Sequence, residues 1–388
     1  MRICFIGPAM SDCGGVQRVM VTIANGLDKS HEVTIISLNN KEAGSFYRLN
    51  DKIKVINYNE YGDDKRVIAR LIRGVARKTG CALKAEVAQY AYYPKKAVDK
   101  LCELIRFGEY DCVIASTIQC TILAGLIAEQ LKNVKLIGWH HNSYRIYIED
   151  PVHGFYIQSR LAARSLKRLD RLITLTKHDA MEYQNKMGIH CKYIYNPLGF
   201  SSEKKSDVSQ KTLLYVGRLE RKQKGIDMLI SMAEELICKR GFTDWKLKII
   251  GTGSGYEETR QQIEQCNLQE VVELLGEQKD VIKYYTTSSV FLSTSRWEGF
   301  GLVIIEAMEC GLPVVSFRTD GPSEIISDGE NGYLIDNYNM EQYMEKLELL
   351  MKDEDLRRKM SEQSIRRAKD FHIEKIIAQW EKVCMEEL

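Results

Sequence analysis

No stretch of the sequence reaches 18 consecutive apolar residues, so no segment has the make-up of a membrane-spanning helix. The cysteines number 11, an odd count, and no two form a Cys-x-x-Cys pair. That argues against a secreted disulfide scaffold and against a structural zinc site. They read instead as small core residues of a reducing cytosol. Prolines are few, 6 in all, and there is no low-complexity tract or short-period repeat. The N-terminus lacks a basic region followed by a long apolar stretch, and so reads as a first strand and turn, not a signal peptide. What remains is an ordinary globular composition: 388 residues, 44% hydrophobic and 28% charged. Such a chain fills two domains or three and can bury a sizeable core in each.

The net charge of +2 hides an asymmetry. Residues 1–196 hold 29 Lys and Arg against 19 Asp and Glu, while the remainder holds 26 against 34. A basic half joined to an acidic half suggests that the first meets something anionic. Nucleic acid and an anionic membrane surface are the two classes to weigh. No nucleic-acid recognition motif is present, so nucleic acid is not expected as a partner.

Both halves alternate short apolar runs with helical patterns. In the first, the runs are Arg2–Ile6, Glu32–Ser37, Cys112–Ala115, Val134–Ile137 and Leu172–Leu175. In the second they are Leu213–Val216, Leu247–Ile250, Val271–Leu275, Val290–Leu292 and Val314–Phe317. This alternation predicts an α/β fold with mostly parallel sheets covered on both faces. Asn196-Pro197, followed by the polar stretch Ser201–Lys211, marks the boundary. The predicted domains are 1–196, 197–370 and a closing helix at 371–388. Two Rossmann-like domains joined this way face a central cleft, and ligands sit beyond the carboxyl ends of the strands.

Four segments carry candidate chemistry. In Ser295–Pro313, Glu298 precedes a Gly299-Phe300-Gly301 turn and Glu306 falls about one turn into the helix that follows. Free backbone N–H groups near Phe300 to Val303 suit a phosphate, and two carboxylates beside it suit sugar hydroxyls. In Val216–Gly225, Arg218 can clamp a diphosphate and a lysine can add a point charge, with Lys222 and Lys224 both candidates. Gly14-Gly15 at the first strand–helix turn allows close backbone approach. His140 and His141 follow a strand, and either can hydrogen-bond a sugar hydroxyl or an attacking alcohol. Ile250-Gly-Thr-Gly-Ser-Gly-Tyr256 imitates a dinucleotide fingerprint, but Tyr256 occupies the third glycine position and NAD is discounted.

With these residues in view, the chain resembles the retaining glycosyltransferases of family four, which have the GT-B fold. The resemblance rests on Glu298-x7-Glu306 around Gly-Phe-Gly, on Gly217-Arg-Leu219 with Lys224-Gly225, on Gly14-Gly15-Val-Gln-Arg18, and on Gly321–Ile326 and Asp328–Leu334. Lys224 lies one residue farther from Arg218 than in that family's commonest spacing. The resemblance implies a nucleotide-sugar donor, most simply a UDP-sugar, held mainly by the second domain. It implies that Arg218 and Lys224 neutralise the diphosphate, that Glu306 takes the ribose hydroxyls, and that Glu298 with the backbone of Gly299, Phe300, Gly301 and Leu302 holds the sugar. Gly15 would cover the phosphates. His141, set in His-Asn-Ser, aligns best with the family's active-site histidine, and His140 stays open. The family implies transfer with retention by a front-face route and without a metal. No obvious Asp-x-Asp metal site is present, so no metal or other cofactor is expected. A nucleotide-sugar epimerase and a non-catalytic binding subunit of the same fold are the alternatives.

Residues 65–78 form a cationic amphipathic pattern, with Val67, Ile68, Leu71, Ile72, Val75 and Ala76 on one face and Arg66, Arg70, Arg73 and Arg77 on the other. Tyr90–Lys96 adds aromatic and basic groups. The segment 65–96 reads as a membrane-surface element. Its competitor is a helix packed on the core with a basic outer face. The membrane reading makes the acceptor a lipid-linked saccharide and the protein cytoplasmic, peripheral on the inner membrane face, in cell-envelope polysaccharide synthesis. The apolar stripe Phe371, Ile373, Ile376, Ile377, Trp380 and Val383 predicts that the last helix crosses back to the first domain, as is usual in this fold.

Overall fold

The apolar run at Arg2–Gly7 forms strand β1, within which Ile3 to Ile6 are fully buried. A strand covered on both faces needs partners at both edges and helices above and below. β2 (Glu32–Leu38) and β4 (Cys112–Ser116) pair with it in parallel, with Ile3 opposite Val33 and Cys112. β3 (Lys54–Tyr58), β5 (Lys135–Trp139), β6 (Arg171–Thr174) and β7 (Cys191–Tyr193) complete a seven-stranded parallel sheet in the order β3-β2-β1-β4-β5-β6-β7. Helix α1 (Gly15–Leu27) follows β1 and buries Val19, Met20, Ile23, Ala24 and Leu27. The computed structural model describes residues 1–39, 44–60, 66–151 and 155–386.

The chain divides into two units, Met1–Pro197 with Ile373–Leu388, and Leu198–His372. The helix Ile373–Met385 packs against α1 and buries Ile376, Trp380, Val383 and Cys384. Its Trp380 ring meets Trp139 edge-on, with centroids 4.8 Å apart. Its Cys384 Sγ lies 3.9 Å from Cys112 Sγ.

The second unit holds a six-stranded parallel sheet of β8 (Thr212–Val216), β9 (Lys246–Ile250), β10 (Val272–Leu274), β11 (Val290–Ser293), β12 (Val314–Phe317) and β13 (Gly332–Ile335). Their order is β10-β9-β8-β11-β12-β13. Both segments that connect the units are anchored here. Leu198 N donates to Phe371 O at 2.8 Å. Glu309, 2% exposed, accepts from Lys205 Nζ at 2.9 Å and Ser202 N at 3.1 Å, and its other oxygen lies 3.1 Å from His372 Nε2. Burial opposes its charge, yet Lys205, His372 and the Ser202 N–H together hold its carboxyl below the usual range.

The amphipathic segment forms helix α2 (Val67–Thr79), and Lys65 lies outside the described residues. The structure overturns the core-packed reading. Ala69 and Ala76 face inward, while Val67, Ile68, Leu71 and Val75 stand exposed. The packing that decides this is with helix α3 (Ala85–Tyr92), whose Ala88 and Ala91 are also buried. Small side chains let the two helices approach closely, and that leaves no room for the large ones between them. Among the described residues, no helix is long and apolar enough to cross a membrane.

Candidate active site

In the second unit, three strand ends bring the candidate residues together. β8 ends at Val216, and Arg218 stands exposed in the loop after it. That loop is interlocked with the loop after β9: Gly217 N bonds Ile250 O, Leu219 N bonds Thr252 O and Gly255 N bonds Leu219 O. A Cβ on Gly251 would stand 1.9 Å from Gly217 O. The glycines at 251–255 therefore shore up the Arg218 loop by close backbone packing, a role the failed dinucleotide pattern did not suggest.

The turn Arg221–Lys224 follows. Lys222 is exposed, whereas Lys224 is largely buried and forms an ion pair with Glu298 Oε2. Of the two lysines, Lys224 is the one directed at the Glu298 loop. Gly225 takes φ +62, and a Cβ there would meet Thr294 O at 2.2 Å, so only glycine fits. Thr294 Oγ1 donates to Lys224 O at 2.9 Å, and Arg296 N donates to Gln223 O at 2.7 Å. The loop after β11 is thus stitched to the lysine turn. Arg218 Nη2 donates to Gln223 Oε1 at 3.3 Å, which ties it to the same turn.

Gly301, at φ +106, caps the helix Leu302–Glu309. The cap supplies no side-chain oxygen, so the first N–H groups of that helix keep their capacity to bind an anion. Phe300 is buried, its ring edge-on to Phe371 at 5.8 Å, so only its backbone serves the turn. Glu306, 5% exposed, accepts from Tyr285 Oη at 3.1 Å. Tyr285 was not legible in the sequence, because nothing local marks a tyrosine 21 residues before its carboxylate.

In the first unit, Gly15 opens α1 and is exposed. His140 and His141 follow β5 and are both buried. His140 Nδ1 lies 2.8 Å from Tyr183 Oη, and His141 Nε2 lies 2.8 Å from Ser116 Oγ at the end of β4. Tyr144 N donates to Asp179 Oδ1 at 2.8 Å, which fixes the far end of the loop. Burial pushes both imidazoles down to about 3, with a further contribution to His140 from its neighbour His141. Both are therefore neutral near pH 7. Thr117, next to Ser116, holds φ +85, a costly conformation for a β-branched residue of the kind that clusters at functional sites.

Among the described residues, no group of three or more His, Cys, Asp or Glu side chains is placed to hold a metal ion. One Asp-x-Asp sequence does exist, Asp353 to Asp355, and it is used locally: the Asp353 side chain caps the helix Glu354–Ala368 by accepting from Leu356 N at 2.9 Å.

Comparison with known proteins bears on the same architecture. The model of Glycosyltransferase Family 4 matches residues 13–199, and that of Glycosyl transferases group 1 matches residues 200–367. The chain belongs to the GT-B glycosyltransferases. It is 28% identical over 388 residues to an uncharacterized glycosyltransferase of Haemophilus influenzae, covering 98% of this chain and 99% of that protein. It is 27% identical over 391 residues to a Campylobacter jejuni α-1,4-N-acetyl-D-galactosaminyltransferase named for a saccharide on diphospho-undecaprenol, covering 100% of this chain and 99% of that one. The crystal structure of Anabaena Alr3699/HepE in complex with UDP superposes with a TM-score of 0.73 at 19% identity, covering 99% of each chain. That likeness establishes the fold of this glycosyltransferase: two parallel-sheet Rossmann-like domains.

Proposed function

We propose that this glycosyltransferase moves a sugar from a UDP-sugar to a hydroxyl of a lipid-linked saccharide, with retention at the anomeric carbon, in cell-envelope polysaccharide synthesis. The observation that carries the reading is the arrangement of Arg218, Lys224, Glu298 and Glu306 around the glycine-capped start of Leu302–Glu309. Two cations and an open helix N-terminus suit a diphosphate, and two carboxylates suit hydroxyls on either side of it. The named relatives support the donor and acceptor classes: one acts on an undecaprenol-linked saccharide, and a structural neighbour was solved with UDP.

In this reading Arg218 and Lys224 neutralise the diphosphate, with Gly15 approaching it through its backbone. Glu306, oriented by Tyr285, accepts from the ribose hydroxyls. Glu298 and the backbone of Gly299 to Leu302 hold the sugar. As the glycosidic bond to the diphosphate breaks, negative charge grows on the leaving oxygen, and the cations and helix N-terminus stabilise it without a metal. The acceptor oxygen bonds to the anomeric carbon on the same face, and its proton passes to the departing phosphate. His141, neutral and held by Ser116, is a hydrogen-bond partner for a substrate hydroxyl. Residues 65–96 bring the first unit to the anionic cytoplasmic face of the membrane.

The test is UDP release from a panel of UDP-sugars, with EDTA present, with and without a polyprenyl-diphosphate saccharide. Release that requires acceptor, with an α-linked product by NMR from an α-linked donor, supports the proposal. Conversion of donor without acceptor would point to an epimerase, and no turnover of any donor would leave a binding protein.

A further inference from the structure

Helix α2 is turned inside out. A surface helix ordinarily directs its large apolar side chains at the core. Here Val67, Ile68, Leu71 and Val75 are 60–63% exposed, while Ala69 and Ala76 are buried. Val67, Leu71 and Val75 are four residues apart and form one line along the outer face, with Ile68 beside it. Arg70 and Arg77, seven residues apart and both exposed, follow one flank of that line, and Lys78 continues its end. The inner face is fixed by other means. Arg66 Nη1 donates to Tyr90 O at 2.5 Å and Arg73 Nη1 to Ala91 O at 2.6 Å, so these two arginines fasten α2 to α3.

What could cover the outer face is limited by charge. Residues 66–96 carry eight Lys and Arg and one acidic residue, Glu86. Glu86 is engaged by Arg164 at 2.7 Å. A second copy of this chain seated on α2 would bring Arg70 and Arg77 against their own counterparts. An anionic bilayer supplies an apolar medium for the stripe and negative headgroups for its basic flank. The arginine stems can lie along the apolar boundary while their guanidinium groups reach the headgroups.

We infer that α2 is a membrane-insertion element. The helix, about 20 Å long, lies in the plane of an anionic bilayer, with Val67, Leu71 and Val75 entering the acyl boundary over about 12 Å of it. This deepens the membrane reading above by committing it to one helix face and to insertion, not charge attraction alone. It rests on that reading for its biological purpose only.

The test uses the full chain with vesicles of phosphatidylcholine, alone or mixed with phosphatidylglycerol, and no donor or acceptor. Wild type should sediment with the mixed vesicles and keep part of that binding at high salt. The exposed double variant Leu71→Ser/Val75→Ser should lose roughly tenfold or more in partitioning, because apolar area is what drives insertion. Arg70→Gln/Arg77→Gln should also bind less and show a flatter salt dependence. A UDP-induced thermal shift, measured in parallel, reports the donor site separately, so failure of the transferase reading and failure of this one are distinguishable. The inference is overturned if the serine variant sediments like wild type, or if salt abolishes all wild-type binding. It is also overturned if wild type ignores anionic vesicles, including the case where it forms a dimer that the serine variant dissolves.

Discussion

Glu298→Gln should make UDP bind more tightly while making the sugar moiety of UDP-sugar count for less. Lys224 is engaged by Glu298, with side chains 15% and 17% exposed. A diphosphate that recruits Lys224 must first break that pair. Its strength lies between an exposed pair and a buried one, so about 1 kcal/mol is a fair figure. Removing the competing charge frees the lysine and should tighten UDP by about fivefold. The same substitution replaces a charged acceptor of sugar hydroxyls by a neutral one. Charge-assisted hydrogen bonds are roughly twice as strong as neutral ones, so about 1–1.5 kcal/mol of grip on the sugar is lost. The ratio of the UDP dissociation constant to that of UDP-sugar should therefore fall by about fivefold to tenfold. Isothermal titration with UDP and with the active UDP-sugar, on wild type and variant, reads both changes. The signs are opposite, which makes the outcome sharp. If Glu298→Gln weakens both ligands by one common factor, the ion pair braces the loop, and the exchange of partners is wrong.

Glu306→Ala should abolish the thermal shift induced by UDP, and Tyr285→Phe should weaken UDP by ~0.5–1.5 kcal/mol, because one hydrogen bond that orients Glu306 is lost. Both His140 and His141 sit near pKa 3 when folded against an ordinary 6.5, so the folded state binds fewer protons between those values. Stability is then full above pH 6.5 and declines as pH falls towards 3, by up to ~1.4 kcal/mol per pH unit for each histidine. Urea denaturation at pH 7.5, 6 and 5 should show this, with a shallower slope in His141→Gln, and an equal slope in that variant counts against it. Trp380→Ala should cost the first unit ~3–5 kcal/mol, read as a lowered transition that leaves the second unit's melting in place.

The central strands were legible because burial on both faces demands continuous apolar runs, as in Ile3–Ile6 and Cys112–Ala115. β3, β7 and β13 gave no such signal, and each is an edge strand. Lys54–Tyr58 and Cys191–Tyr193 are only half covered, and their residues need not all be apolar. β13 is buried but short, and its opening Gly332 reads as a turn residue until the close approach of Val314 O explains it. At the candidate site, residues with local motifs could be singled out, whereas Tyr285 and Ser116 act across chain distances that leave no pattern. The periodicity of α2 grouped Val67, Ile68, Leu71 and Val75 correctly, but it wrongly placed Ala76 with them and Arg66 and Arg73 with the exposed Arg70 and Arg77, and it did not show which face turns inward. That choice was made by small residues on a neighbouring helix, which no single-helix pattern contains.

The first unit is completed by the last helix of the chain, and this sets a clock on its folding. At ~5–20 residues per second, ribosomes need on the order of ten to forty seconds between Pro197 and Ile373. Throughout that interval the nascent first unit lacks the partner that covers Trp139 and Cys112. The second unit is contiguous and can close as soon as it has emerged, so the domain begun first is finished last. A circular permutant that places Ile373–Met385 ahead of Met1 would reverse that order and let each sheet acquire its full cover in the sequence in which it is synthesised.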